Sequence, residues 1–227
     1  ELVEILKKKF NNANALEGKR VLISSGPTHE AIDPVRFIGN HSSGKMGSAI
    51  AHSFAEAGAE VTTVSGPATT LPAVGAVIQV NSAQEMLKAM DHHHQDADIV
   101  VFSAAVADYR PKERATEKIK KQADQLNLEL VKNPDIALTL GNQKKHQFHI
   151  GFALETENEK TNAKDKLQKK NFDLIVLNSL KDEGAGFQQN TNKVTFFDKD
   201  NNEQQFELKG KNEVAQDIID HVINVMK

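Results

Sequence analysis

An α/β domain built on a doubly wound, mainly parallel sheet is the architecture this sequence predicts, and three observations predict it. Short apolar runs of strand type at 20–25, 60–65, 76–80, 98–103, 147–153 and 173–177 alternate with helix-period segments at 43–58, 82–92, 134–141 and 157–170. After residue 190 the rhythm changes to a β-hairpin and a closing helix. A chain of 227 residues is long enough for one well-packed core, and no shift of composition marks a second domain. The expectation is therefore one Rossmann-like unit with a C-terminal β-hairpin and helix.

Taken in order, Leu2, Val3, Ile5, Leu6 and Phe10 suggest a short amphipathic helix, and Asn11 to Asn14 a linker, so residues 1–17 are set apart from a domain at 18–227. Arg20 to Ser25 opens the sheet. Met46, Ala49, Ile50, Ser53, Phe54 and Ala57 recur at helical spacing. Ser82-Ala83-Gln84-Glu85 reads as a capping box at the head of the next helix. Lys193 to Asp198 and Gln204 to Leu208 flank Asp200-Asn201-Asn202, a hairpin whose open edge and Phe196, Phe197 and Phe206 suggest a surface for self-association. Val214, Ile218, Ile219, Val222 and Met226 share one face of a last helix at 212–226.

Composition excludes several classes of function. Twenty-eight basic and 31 acidic residues leave a net charge of −3, so nothing points to nucleic acid or a membrane surface as a partner, and an anionic substrate would need a local cationic pocket. No cysteine is present, which removes disulfides, thiolate nucleophiles and zinc–thiolate sites and suits a reducing cytoplasm. No apolar run approaches the ~20 residues of a membrane span, and no signal peptide is visible.

The chemistry concentrates in Gly39-Asn40-His41-Ser42-Ser43-Gly44-Lys45-Met46-Gly47, entered through Ser25-Gly26-Pro27-Thr28 and Asp33-Pro34-Val35-Arg36. A strand, a glycine-bearing loop and a helix N-terminus follow in order, which offers backbone N–H groups and a helix dipole to an anion. Gly39-x-x-x-x-Gly44-Lys45 imitates a P-loop, but Met46 stands where a Ser or Thr should reach Mg²⁺, and about 14 residues separate the strand from Gly39. The dinucleotide fingerprint is missing as well, since only Gly44-x-x-Gly47 is present.

Together with Ala104-Ala105-Val106-Ala107-Asp108-Tyr109, Lys118-Ile119-Lys120-Lys121, Val131-Lys132-Asn133-Pro134-Asp135-Ile136 and Gly151-Phe152-Ala153-x-Glu155-Thr156, these motifs occur in an order that resembles bacterial phosphopantothenoylcysteine synthetase over about residues 18–225. The resemblance implies a CTP-dependent ligase of coenzyme A biosynthesis. Its carboxylate substrate, 4′-phosphopantothenate, would attack the α-phosphate of CTP, and L-cysteine would then displace CMP from the acyl-cytidylate. It also implies a homodimer, Mg²⁺ held mainly by nucleotide phosphates, and a flavin-dependent decarboxylase fused upstream or working alongside. A nucleotide-dependent oxidoreductase and a non-catalytic nucleotide-binding module are the alternatives such a fold also permits.

Residue by residue, the resemblance makes Asn40 the group that holds the activated acyl, and sets Arg36, Asn40 and Ala105 against phosphopantothenate. A lone Asn there would more often simply form a turn. It places Phe102, Ser103, Ala104, Asp108, Pro134, Asp135, Ile136, Ala137 and Phe152 on the nucleotide; small residues at 103–107 could equally mean tight packing. Lys166 and Lys170, one helical turn apart, become triphosphate contacts, although both could be the wet face of a lysine-rich helix. Lys118 becomes catalytic on a lid at 110–121 whose one sizeable apolar anchor is Ile119, where the bland alternative is a solvated charged loop. No residue stands out as a metal ligand. His92-His93-His94 point about 100° apart on a helix, so an exposed helix end is expected rather than a metal site.

Overall fold

The computed structural model describes residues 13–120, 125–155, 157–179 and 191–226. The amphipathic segment expected at 2–10, and Lys121, lie outside the described residues. Among the described residues fourteen strands and five helices follow: β1 Arg20–Ser25, β2 His29–Ala31, β3 Phe37–Gly39, α1 Lys45–Glu56, β4 Glu60–Ser65, β5 Ala76–Gln79, α2 Ala83–His94, β6 Ile99–Phe102, β7 Tyr109–Pro111 and β8 Leu130–Lys132. Then come α3 Ile136–Gln143, β9 Phe148–Glu155, α4 Glu159–Lys169, β10 Leu174–Ser179, β11 Thr191–Asn192, β12 Val194–Asp198, β13 Glu203–Gln205, β14 Lys209–Gly210 and α5 Lys211–Val225.

The main sheet runs β13-β12-β10-β9-β6-β1-β4-β5. Every pairing from β5 to β10 is parallel, and the β12–β13 hairpin is added antiparallel to β10. Chain order therefore reverses between β1 and β6, where Ser24 lies opposite Phe102. A crevice is expected beyond the carboxyl ends of the strands at that switch.

Alternation along the strands builds two apolar layers. Val21, Ile23, Ile99, Val101, Ile150, Leu174 and Val176 pack on one face against Ile50 and Phe54 of α1 and Val214, Ile218, Ile219 and Val222 of α5. Leu22, Val100, Ile175 and Leu177 face the other way, onto Met86 and Met90 of α2, Leu140 of α3 and Leu167 of α4. Leu16 closes the first layer, its N–H donating to the Ala57 carbonyl at 2.9 Å.

Several local expectations change on contact with the rest of the molecule. Phe196 and Phe197, assigned from sequence to a self-association surface, are 2% and 1% exposed because β12 is a sheet member with both faces covered. Phe206 is half-buried against Phe196, ring centroids 4.6 Å apart. Ser82 caps α2 by accepting from Glu85 N, but Glu85 returns the bond to Asn81 N at 2.7 Å, one residue earlier than a capping box requires. The histidine run is not an exposed helix end throughout: His94 turns inward and is fully buried, its Nε2 3.0 Å from Nε2 of His149. Burial lowers the pKa of both rings, and that of His149 is pushed down to about 3, with Lys144 and His94 adding to the effect.

Candidate functional site

At the switch point a cleft of about 440 Å³ opens, and its walls come from chain segments far apart in sequence. Gly44 caps α1 in the left-handed region at φ 80°, a conformation that favours glycine, and no side chain caps the helix there. Gly47, on the first turn, passes so close to Ser25 that a Cβ would fall on the serine hydroxyl. The helix head is thereby drawn down to the strand end, with Ser42, Ser43, Gly44 and Lys45 on the cleft wall.

The segment after β6 is tied down by its backbone. Ser103 N donates to Ser24 O at 3.1 Å, Ala105 N to Gly26 O at 2.8 Å and Ala107 N to Thr28 Oγ1 at 2.9 Å. Asn133 supports it from beneath, with Nδ2 donating to Ala107 O and N–H to Asp108 O, each at 2.8 Å. Asn40 closes it from above: Nδ2 donates to Ala105 O at 3.2 Å and Val106 O at 3.1 Å. The carboxamide thus joins the two loops, and its oxygen remains the group able to accept from a ligand.

The third wall is the head of α3. Asp135 caps it by accepting from Leu138 N at 3.0 Å and also pairs with Lys170 at 3.0 Å, while Ile136 and Ala137 pack inward. On α4, Lys166 pairs with Glu155 of β9. The two lysines therefore sit in the cleft wall already engaged with carboxylates, so an arriving polyanion would share them.

Every residue singled out from the sequence lines this cleft except two: Asn40, Phe102, Ser103, Ala104, Ala105, Asp108, Pro134, Asp135, Ile136, Ala137, Phe152, Lys166 and Lys170 do. Arg36 and Lys118 stand outside its wall. Arg36 is paired with the buried Asp33. That guanidinium first of all, and then the Val35, Arg36 and Ile119 N–H groups, hold the Asp33 carboxyl well below the usual carboxylate range. Lys118 is exposed on the segment between β7 and β8. Ile119, the one sizeable apolar residue of that segment, is half-buried. Ile119 is held through its peptide group, by Asp33 Oδ2 and Arg36, and Ala115 N donates to Ile32 O at 3.0 Å.

Asn178, Asn192 and Lys211 also line the cleft, and sequence reasoning missed them. They arrive from the end of β10, from β11 and from the head of α5, with no motif to mark them. Lys211 is 8% exposed; burial lowers its pKa, and Lys45 lowers it further. Oδ1 of Asn178, Oδ1 of Asn192 and Oγ of Ser103 are buried with no hydrogen-bond partner among the described residues. No cluster of three potential metal ligands occurs among the described residues, and no helix there is long and apolar enough to cross a membrane.

Residues 16–226 match the family described as DNA/pantothenate metabolism flavoprotein C-terminal domain. A protein named cysteine/cysteine sulfinic acid decarboxylase, from an unknown prokaryotic organism, is 48% identical over 100% of this chain and 64% of its own length. The coenzyme A biosynthesis bifunctional protein CoaBC of Haemophilus influenzae is 45% identical over 98% of this chain and 56% of its own length. The chain thus spans between about half and two thirds of these relatives. Among solved structures, the C-terminal domain of a coenzyme A biosynthesis bifunctional protein CoaBC superimposes with a TM-score of 0.81 at 43% identity, covering 94% of this chain and 98% of that one. A Cab2 H337A variant in complex with phosphopantothenate-cysteine shares the fold at TM-score 0.70 and 16% identity.

Proposed function

Because the chain belongs to the family of the DNA/pantothenate metabolism flavoprotein C-terminal domain, we propose that it is a ligase joining 4′-phosphopantothenate to L-cysteine at the expense of CTP. The observation that carries this reading is the convergence of the Asn40 loop, the 102–108 segment and the α3 head on one cleft at the switch point of the sheet. A carboxylate oxygen attacks the α-phosphorus, its P–O bond forms, and the bond to the β-phosphate oxygen breaks to release pyrophosphate. The cysteine amine then attacks the acyl carbon, CMP leaves with the bonding electron pair, and the amine loses a proton.

Such chemistry asks for positioning and charge neutralisation more than for a protein nucleophile. In this reading Asn40 orients the acyl group with the oxygen its loop contacts leave free. Phe102 to Ala104, Asp108, Pro134 to Ala137 and Phe152 hold the nucleotide, and Lys166, Lys170 and Lys118 take the phosphates. Arg36 and Ala105 serve phosphopantothenate. Magnesium fits as an ion carried in on the nucleotide phosphates, because Asp108 offers an exposed carboxylate at the cleft. It would supply charge neutralisation at the reacting phosphates. The active form proposed is a homodimer, acting beside a flavin-dependent decarboxylase.

Pyrophosphate release measured with each of four nucleoside triphosphates, with and without phosphopantothenate, tests the reading. Release is expected only when CTP and phosphopantothenate are both present. Equal rates with ATP refute the choice of nucleotide, and no release with any triphosphate refutes the ligase.

A further inference from the structure

The loop 32–36 and the segment 112–120 are distant in sequence, yet they are bonded into one body. Oδ1 of Asp33 accepts from Val35 N and Arg36 N, each at 2.8 Å, which fixes the turn between β2 and β3. Oδ2 accepts from Arg36 Nε at 3.0 Å, from Arg36 Nη2, and from Ile119 N at 3.2 Å. Arg36 Nη2 also donates to Ile119 O at 2.9 Å, so both polar groups of Ile119 are gripped by one ion pair. Ala115 N on Ile32 O adds a third point four residues earlier.

Asp33 is 2% exposed and Arg36 keeps 39% of its side chain in solvent. Nη1 of Arg36 has no partner among the described residues, so an anion can be met there while the grip on Ile119 persists. Lys118 immediately precedes Ile119 and is exposed and outside the cleft wall.

We infer that Asp33 is a positioning residue: its carboxylate locks the Arg36 loop to the Lys118-bearing segment, so that a residue touching no ligand sets where Lys118 can reach. The inference rests on the reading of Lys118 as a phosphate contact. The lock itself does not, because it consists of bonds already described. A carboxylate is suited to the task, since Asp33 meets five donor contacts from three residues and an amide would present an N–H toward some of them.

Asp33→Asn in the full chain tests the lock. Tryptic cleavage after Lys118 and Lys120, followed by mass spectrometry without ligands, is expected to accelerate at least ~5-fold as local opening becomes easier. Pyrophosphate release should slow about 10-fold, and the Asp33→Asn/Lys118→Gln double variant should lie within ~3-fold of Lys118→Gln alone, because both changes act through the same group. Unchanged cleavage in a folded variant overturns the lock; losses that multiply in the double variant overturn action through Lys118. Should Asp33→Asn fail to fold, Ala115→Pro removes the third point of attachment. Faster cleavage with slower release then supports the inference, and faster cleavage at an unaltered rate, or unaltered cleavage, overturns it. If no triphosphate yields pyrophosphate with the unaltered protein, the ligase falls, and the cleavage assay still decides the lock.

Discussion

Asn40 illustrates how one side chain serves structure and chemistry at once. Its Nδ2 holds the Ala105 and Val106 carbonyls, so replacing it by Asp sets a carboxylate oxygen against two carbonyl oxygens and brings negative charge to a site meant for anions. Phe102 and Ser103 are held independently by the β1–β6 ladder and Ser103 N on Ser24 O. Asn40→Asp is therefore expected to cut turnover at least ~10-fold while the Kd for CTP, by calorimetry, moves less than ~3-fold. Loss of CTP binding in a folded variant would show that the 103–108 segment cannot hold its place without Asn40. The His94–His149 pair makes a second residue-scale prediction. A buried imidazole with its pKa near 3 stays neutral where the unfolded chain takes up a proton, so the native state binds fewer protons below pH ~6.5. Stability should fall by about 2 kcal/mol between pH 7 and pH 5 from His149 alone and go on falling toward pH 3. Urea melts across that range should show the decline, and His149→Gln should flatten it.

Helices position the site by their ends, and each end is secured differently. The head of α3 depends on Asp135, which caps Leu138 N and pairs with Lys170. Asp135→Ala should cost ~1 kcal/mol for the cap, read as a fall of about 2–4 °C in Tm. The partly exposed pair with Lys170 adds little to that. The head of α1 depends on glycine. Gly47→Ala would drive a methyl group into Ser25, and overpacking of this kind costs about 1–3 kcal/mol; Ser25→Ala should recover part of it by removing the hydroxyl. A melt in which Gly47→Ala is neutral would mean that α1 can move off β1 freely.

Among the described residues, most exposed large apolar side chains lie away from the C-terminal hairpin, which keeps only Leu208 in solvent. Its free edge is the three-residue strand Glu203–Gln205, too short and polar to support the ~800 Å² per partner of a standard interface. Val35 and Phe37 on one small hairpin, and Tyr109, Leu126, Leu128 and Leu130 around the other, are all exposed. The proposed homodimer is accordingly expected to use these. Sedimentation at micromolar concentration should give a dimer that Phe37→Asp converts to monomer and Gln204→Lys leaves intact. A dimer that survives Phe37→Asp refutes the placement, and a monomeric parent protein refutes the dimer.

Short apolar runs were enough to read the strands that β1, β4, β5, β6, β9 and β10 became, because central strands covered on both faces are apolar throughout, and helical periodicity was enough for the helices between them, because each must bury one face. Most of the cleft was legible because its walls are contiguous motifs at strand ends, and the resemblance to a known family picks out the residues within them. Contacts between distant segments were not legible. Whether Phe196 and Phe197 face solvent depends on β10 lying beside β12, and the inward turn of His94 on β9 placing His149 opposite it. Asn178, Asn192 and Lys211 meet at the cleft only once β10, β11 and α5 are assembled. Sequence by itself determined the elements of the main sheet, the helices that cover it and their order, since these follow from the local pattern of burial, whereas the short pairs β2–β3, β7–β8 and β11–β14 left no such pattern. The tertiary structure alone decided that Asp33 and Arg36 grip Ile119, because a hydrogen bond across 86 residues leaves no trace in the spacing of either partner.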